Sequence, residues 1–240
     1  MSDFVFKHFT IRQQLNAMKI GTDSVLLGCL LKTDDATHIL DIGTGTGLLA
    51  LMLAQRTGAI INAVEIDEQA ATEARFNFEQ SKWANSITLH HSSIQQFCEG
   101  NTEQFDLIVA NPPYYPFAKH AVIQQVNRSV ARQTNALSFE ELIQCVLKLL
   151  SPQGACWLVL PIEEGTYFIE LANCHGLYLQ HCIYIKPKQD KESNRMILQF
   201  TFVKKTHTTQ TFIVYEADGT PTHAYKQAAA EFYTGKQFTL

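Results

Sequence analysis

The chain is 240 residues long, 46% hydrophobic and 18% charged, with a formal net charge of −4. Such a length fits one large α/β domain with modest trimmings, and the slight acidity does not suggest a nonspecific nucleic-acid binder, which is usually basic overall. No run of about 18 apolar residues offers a membrane span, and Met1-Ser2-Asp3-Phe4 lacks the basic stretch and apolar run of a secretory leader.

Thr22–Lys32 reads as an amphipathic helix that Thr22 or Asp23 can cap. His38–Ile42 is a short apolar strand, Leu48–Arg56 a helix, and Ala59–Glu65 a second strand ending in acid. Glu68–Gln80 is a helix with Asp67 as its cap, and Ile87–His90 is a third strand, with His90-His91 at its terminus. Phe105–Ala110 is apolar but for Asp106, as expected of a strand buried on both faces. Ser138–Leu150 is a helix opened by a capping-box pattern of Ser138 and Glu141. Ala155–Leu160 is a fifth strand, Glu163–Cys174 a helix, Tyr178–Ile185 a sixth strand and Met196–Val203 a seventh. The tail holds a strand-like Thr211–Tyr215, an Asp218-Gly219 turn and a short helix, Tyr225–Tyr233.

This alternation predicts an α/β fold: a seven-stranded, mostly parallel sheet with one antiparallel strand and helices on both faces. Strands six and seven, joined without a crossover helix, are expected to form an antiparallel hairpin at the sheet edge. No linker divides the chain, so it reads as one domain: a helical N-terminal segment (1–36), a core (37–205) and a C-terminal extension (206–240). Residues 111–137 form a long connection without clear periodicity, and loops of this length in compact domains are usually functional lids or disordered. The six cysteines include no C-x-x-C pair and several lie in apolar runs, as buried thiols do in a reducing cytoplasm. Cys174-His175 and His181-Cys182 match no zinc spacing, so no metal is expected.

Gly43, Gly45 and Gly47 follow the first strand and open a helix. Glycine permits positive φ and removes the Cβ that would block a ligand. The spacing is G-x-G-x-G, not the G-x-G-x-x-G of dinucleotide sites, and the loop has no phosphate-binding lysine. A bare tight turn would also explain a glycine triplet. Glu65, however, closes the next strand 18 residues after Gly47, where a carboxylate can accept both ribose hydroxyls of a nucleoside.

Asn111-Pro112-Pro113-Tyr114 follows the fourth strand, where ligands of open α/β sheets gather. An aromatic or amide amino group is a poor nucleophile because its lone pair is delocalised. The Asn111 side-chain oxygen and the Pro112 carbonyl can accept its two N–H groups and favour a pyramidal nitrogen. The prolines fix φ and hold Asn111 extended, so the acceptors are set in place before reaction. Tyr114 offers a flat face for a target ring. A proline-rich strand exit is the reading without chemistry.

At these two motifs the chain resembles the class I S-adenosylmethionine-dependent methyltransferases that act on amino groups. Phe6-Lys7-His8-Phe9-Thr10-Ile11, Ala17-Met18-Lys19-Ile20-Gly21-Thr22-Asp23, Leu48–Arg56, Asn111–Tyr115, Ala224-Tyr225 and Glu231-Phe232-Tyr233 narrow the resemblance to the bacterial valine-tRNA adenine-N6 methyltransferases, over about residues 4 to 234. The resemblance implies that S-adenosylmethionine is the cofactor, tRNA the partner and adenine N6 at position 37, beside the anticodon, the acceptor. It implies that Gly43, Gly45 and Gly47 line the donor's methionine and ribose, that Asp41 orients the loop or the donor's amino group, and that Glu65 holds the ribose. Ile66, Ser93 and Ile94 complete the donor site, and Lys19, Gly21, Thr22 and Asp23 lie near its methionine end. Asn111, Pro112 and Tyr114 hold the target adenine. Ser93 stands where such enzymes usually carry Asp, and Gln13-Gln14-Leu15-Asn16 departs from the family pattern.

Other members of the amino-methylating group act on ribosomal RNA, DNA or a protein glutamine. The short segment before the first strand leaves no room for the helical domain of glutamine enzymes, and no DNA-recognition domain is visible. A non-catalytic RNA-binding protein is disfavoured by the intact Asn111–Tyr114. Since the chain is acidic overall, RNA must be met by local patches. The candidates are Lys119, Arg128 and Arg132 on the long connection, and Lys186, Lys188, Lys191 and Arg195 around the late hairpin loop.

Overall fold

The computed structural model describes residues 3–15, 20–113 and 137–233. A short antiparallel ribbon, β1 (Phe4–Val5) and β2 (Thr10–Ile11), leads to α1 (Thr22–Leu30). Then come β3 (His38–Ile42), α2 (Leu48–Arg56), β4 (Ile60–Glu65), α3 (Glu68–Glu79), β5 (Ile87–His91), α4 (Ile94–Gly100) and β6 (Phe105–Ala110). Beyond the long connection lie α5 (Phe139–Leu149), β7 (Leu150–Pro161), α6 (Ile162–Cys174), β8 (Tyr178–Lys188), β9 (Arg195–Thr201), β10 (Thr208–Tyr215) and α7 (His223–Ala229).

The main sheet has eight strands in the order β10-β8-β9-β7-β6-β3-β4-β5. β9 runs antiparallel to β7 and β8, and the other strands are parallel. The mostly parallel sheet with one antiparallel strand is the expected one, with two differences. The C-terminal strand joins it as an eighth member, and the late hairpin does not form the edge. β9 enters between β7 and β8 because its buried run Met196–Phe200 packs apolar side chains on both faces of the sheet, which only an interior position satisfies. The edge is left to β10, whose first four residues are exposed.

The helices form a layer on each face. One layer holds α1, α2, α3 and α7 with the N-terminal aromatics Phe6 and Phe9; the other holds α4, α5 and α6. Every residue of α2 from Leu48 to Ala54 is buried, so this helix is apolar all round and lies wholly inside. Asp67 caps α3 by accepting from Ala70 N at 2.8 Å, and Ser138 with Glu141 forms the expected capping box. Neither Thr22 nor Asp23 caps α1: Gly21 is its N-cap, without a side-chain bond. Helix α4 was not expected. Its seven residues are too few for a visible helical period, and its sequence start signal is the Ser93/Gln96 capping box.

Candidate active site

Strand register brings the candidate residues to one edge. Ile42 pairs with Val64 on one side and Ala110 on the other, so the glycine loop, Glu65 and Asn111 leave three adjacent strands at one height. Glu65 in turn pairs with His91, which brings Ser93 to the same row. β3 lies between β4 and β6, and the helices that follow β3 and β6 lie on opposite faces. The crevice is therefore at the switch point where open α/β sheets bind ligands. Because β9 is antiparallel to both β7 and β8, the β8–β9 loop lies on this same edge.

The glycine loop is held from beneath. Gly43 N and Thr44 N donate to Val64 O at 2.9 and 3.0 Å. Gly43, Gly45 and Gly47 all have positive φ, at 69°, 59° and 90°. Their surroundings differ. A Cβ on Gly43 or Gly45 would meet nothing within 4 Å, so these two face open space. A Cβ on Gly47 would lie 2.4 Å from the Phe78 ring, so packing against α3 by itself demands glycine there.

Two carboxylates organise this loop. Glu65 Oε2 accepts from Gly45 N at 2.8 Å, and Oε1 accepts from Ile66 N and Asp67 N, both at 2.8 Å. Three backbone donors thus occupy most of the carboxylate's acceptor capacity, and the lone pair that remains is on Oε2. Asp41 is fully buried. Its Oδ2 accepts from the Thr44 hydroxyl at 2.6 Å and from Ala50 N at 3.1 Å, while Oδ1 has no partner. Burial pushes the Asp41 carboxyl up to about 7; the bonds from Thr44 and Ala50 pull the other way, and the neighbouring Glu65 charge adds to the rise.

Ile66 is about half exposed at the crevice, an apolar side chain open to a flat ligand. Ser93 is the N-cap of α4: its hydroxyl accepts from Gln96 N at 3.2 Å, and Gln96 Oε1 accepts from Ser93 N at 3.3 Å. Ile94 is buried in the core beneath that helix.

The first turn of α1 reaches the crevice from the other side. Gly21 and Thr22 are exposed, and Asp23 Oδ2 accepts from Arg195 Nε at 2.7 Å. This joins a residue expected near the donor to one expected near RNA. Asn111 Nδ2 donates to the Ser24 hydroxyl at 2.7 Å. Sequence reasoning passed over Ser24, which stands one residue past the singled-out Asp23.

It also missed the fastening of residues 12–15. Asn77 Oδ1 accepts from Arg12 N at 2.9 Å, and Asn77 Nδ2 donates to Arg12 O at 3.1 Å and to Thr46 O at 2.8 Å. Glu73 accepts from Gln14 N and from Leu15 N. These contacts use the main chain of residues 12, 14 and 15, so the unusual Gln13-Gln14-Leu15 sequence does not disturb them.

Among the late cations, Lys188 Nζ donates to Ala217 O at 3.0 Å, and Lys191 is exposed, 3.9 Å from Asp190. Lys186 is half-buried at the end of β8. Lys19, Tyr114, Lys119, Arg128 and Arg132 lie outside the described residues. Among the described residues no group of three His, Cys, Asp or Glu could hold a metal ion, and no helix is long and apolar enough to cross a membrane.

Comparisons with known proteins show the family. A family described as the methyltransferase small domain matches residues 16–168. A protein of Trichodesmium erythraeum named tRNA1(Val) (adenine(37)-N6)-methyltransferase is 38% identical over 235 residues, covering 97% of this chain and 98% of its own. A protein of Flavobacterium psychrophilum with the same name is 41% identical over 217 residues, covering 90% of this chain and 92% of its own. Among solved structures, a predicted O-methyltransferase from Agrobacterium tumefaciens superposes with a TM-score of 0.66 at 19% identity, covering 87% of this chain and 96% of its own. A glycopeptide N-methyltransferase complexed with S-adenosylmethionine gives 0.55 at 10% identity, covering 75% of this chain and 92% of its own. These two share the class I methyltransferase fold. The likeness runs through nearly the whole of this chain and of these relatives, and the chain is therefore an enzyme of the methyltransferase small-domain family, in the branch of the tRNA1(Val) (adenine(37)-N6)-methyltransferases.

Proposed function

We propose that the chain methylates the N6 amino group of the adenine at position 37 of a valine tRNA, with S-adenosylmethionine as donor. The observation that carries this reading is the orientation of Asn111. Its Nδ2 is engaged by Ser24, so its Oδ1 is the atom left to accept an N–H from a target amino group. Pro112 has no N–H and supplies a second carbonyl acceptor beside it.

The residues present fit the donor. Asp41 has an unpartnered oxygen suited to an ammonium group. Gly43 and Gly45 leave space where a Cβ would stand, Glu65 Oε2 has room for one ribose hydroxyl rather than two, and Ile66 offers an apolar surface to the adenine ring. Ser93 can still accept through its second lone pair while it caps α4. When bound, S-adenosylmethionine supplies an electrophilic methyl group on a sulfonium. The protein's part is to hold the amino nitrogen pyramidal with its lone pair aimed at that methyl, which two fixed acceptors do without first removing a proton. Asn111 and Pro112 act at this step, and Tyr114 is assigned to stacking on the ring. Gly21 and Thr22 border the methionine end, with Lys19 assigned alongside them.

Mass spectrometry of tRNA from a strain lacking this gene tests the reading. It should show unmethylated adenosine at position 37 of a valine tRNA, restored by the wild-type gene and not by Asn111→Ala. Unchanged methylation at that position in the deletion strain would sink the assignment.

A further inference from the structure

We infer that Ser24 is a positioning residue for the reaction: its hydroxyl anchors the Asn111 amide in the orientation that turns Oδ1 toward the substrate. This rests on the amino-group acceptor role given to Asn111. An asparagine amide has an acceptor end and a donor end of nearly equal size, and a half-turn exchanges them. Only the orientation with Oδ1 toward the crevice can accept from an amino group. With Nδ2 there instead, two donors would face each other.

Strand β6 and the following proline hold the Asn111 backbone but do not choose between these two orientations. The end turned away from the crevice donates to Ser24 Oγ at 2.7 Å, 87 residues away in sequence, and this bond holds the amide in the accepting orientation. Ser24 is itself well anchored. Val25, Leu26 and Leu27 next to it are buried, and the preceding Asp23 is tied to Arg195 at 2.7 Å. The first turn of α1 thus links the start of β9, the turn after β6 and the crevice between them. Only the hydroxyl matters in this account.

Three variants test it, each assayed on tRNA at saturating donor, with donor affinity measured by calorimetry. Ser24→Ala should lower kcat by roughly 5- to 30-fold, the scale of one lost hydrogen bond, with donor affinity and tRNA KM within about twofold of wild type. Ser24→Thr, which keeps the hydroxyl, should recover most of that loss. In an Asn111→Ala background Ser24→Ala should cost nothing further, because no amide remains to orient. Unchanged kcat in Ser24→Ala overturns the inference while leaving the role of Asn111 standing. The same loss in the Asn111→Ala background also overturns it, since Ser24 would then act by another route. If Asn111→Ala alone keeps near-normal turnover, the acceptor role fails and the inference falls with it.

Discussion

Asp41 has no access to solvent and one oxygen without a partner, so its charge is costly until a cation meets it. Its carboxyl is raised from the usual 3.8 to about 7. The folded protein therefore holds a proton that the unfolded chain has lost between these values, and this residue's contribution to stability falls as pH rises through that window. An ammonium group placed at Oδ1 favours the charged form. Donor affinity should then rise with pH up to about 7, by as much as roughly tenfold per unit, and level off above. Calorimetric titration from pH 5.5 to 8.5 checks this, and Asp41→Asn should bind weakly at pH 8 with a flat profile. Glu65→Ala should weaken donor binding by about 1–3 kcal/mol and also loosen the loop, since Gly45 N loses its acceptor. Equal affinity in wild type and variant would remove Glu65 from the donor site.

At the scale of elements, the glycines of one loop separate into two kinds. Gly47→Ala meets both a positive φ and the Phe78 ring, so it should cost about 2–5 kcal/mol of stability. Gly43→Ala meets no protein atom, so its stability cost should be only about 1–2 kcal/mol. It should instead impair donor binding, by filling the space left for the ligand. Thermal melts paired with calorimetry distinguish the two, and a Gly43→Ala protein with normal donor affinity would show that the open space is not the donor's. The sequence made most elements visible, because segments such as Leu48–Arg56 and Phe105–Ala110 are mainly apolar and bounded by turn residues. The Asp67 and Ser138 caps were legible for a related reason: a cap bonds within its own turn. The bond from Asn111 to Ser24 and those from Asn77 to Arg12 and Thr46 were not legible, since each joins segments that only the folded sheet brings together. The Gly21 cap was missed because Asp23, which looks like a cap, turns instead toward Arg195.

For the whole molecule, the strand directions carry the late hairpin to the edge that holds Asn111. We propose that Lys186, Lys188 and Lys191, at the end of β8 and in the loop after it, meet the phosphates of an RNA lying across the crevice. Replacing all three with Ala should flatten the salt dependence of tRNA binding by about two to three log units per log unit of salt, with donor affinity unchanged. An unaltered slope would move the RNA elsewhere, most readily toward Lys7, His8 and Arg12. The Asp23–Arg195 pair ties the start of β9 to the first turn of α1, which Asn111 also meets through Ser24.

The order β10-β8-β9-β7 has a consequence for the chain as it leaves the ribosome. Both sheet neighbours of β8 are encoded after it. β3 to β7 can pair as soon as residue 161 emerges, but β8 then has an apolar run of Cys182, Ile183 and Ile185 and no strand to receive it until β9 is made. β9 must thread between two strands that preceded it. Synthesis halted between residues 188 and 195 would leave two open edges in a protein otherwise half assembled, a state prone to self-association. Ribosome-bound chains carrying a flexible linker after residue 188, long enough to clear the exit tunnel, should therefore be more protease-sensitive in residues 178–188 than chains carrying the same linker after residue 205.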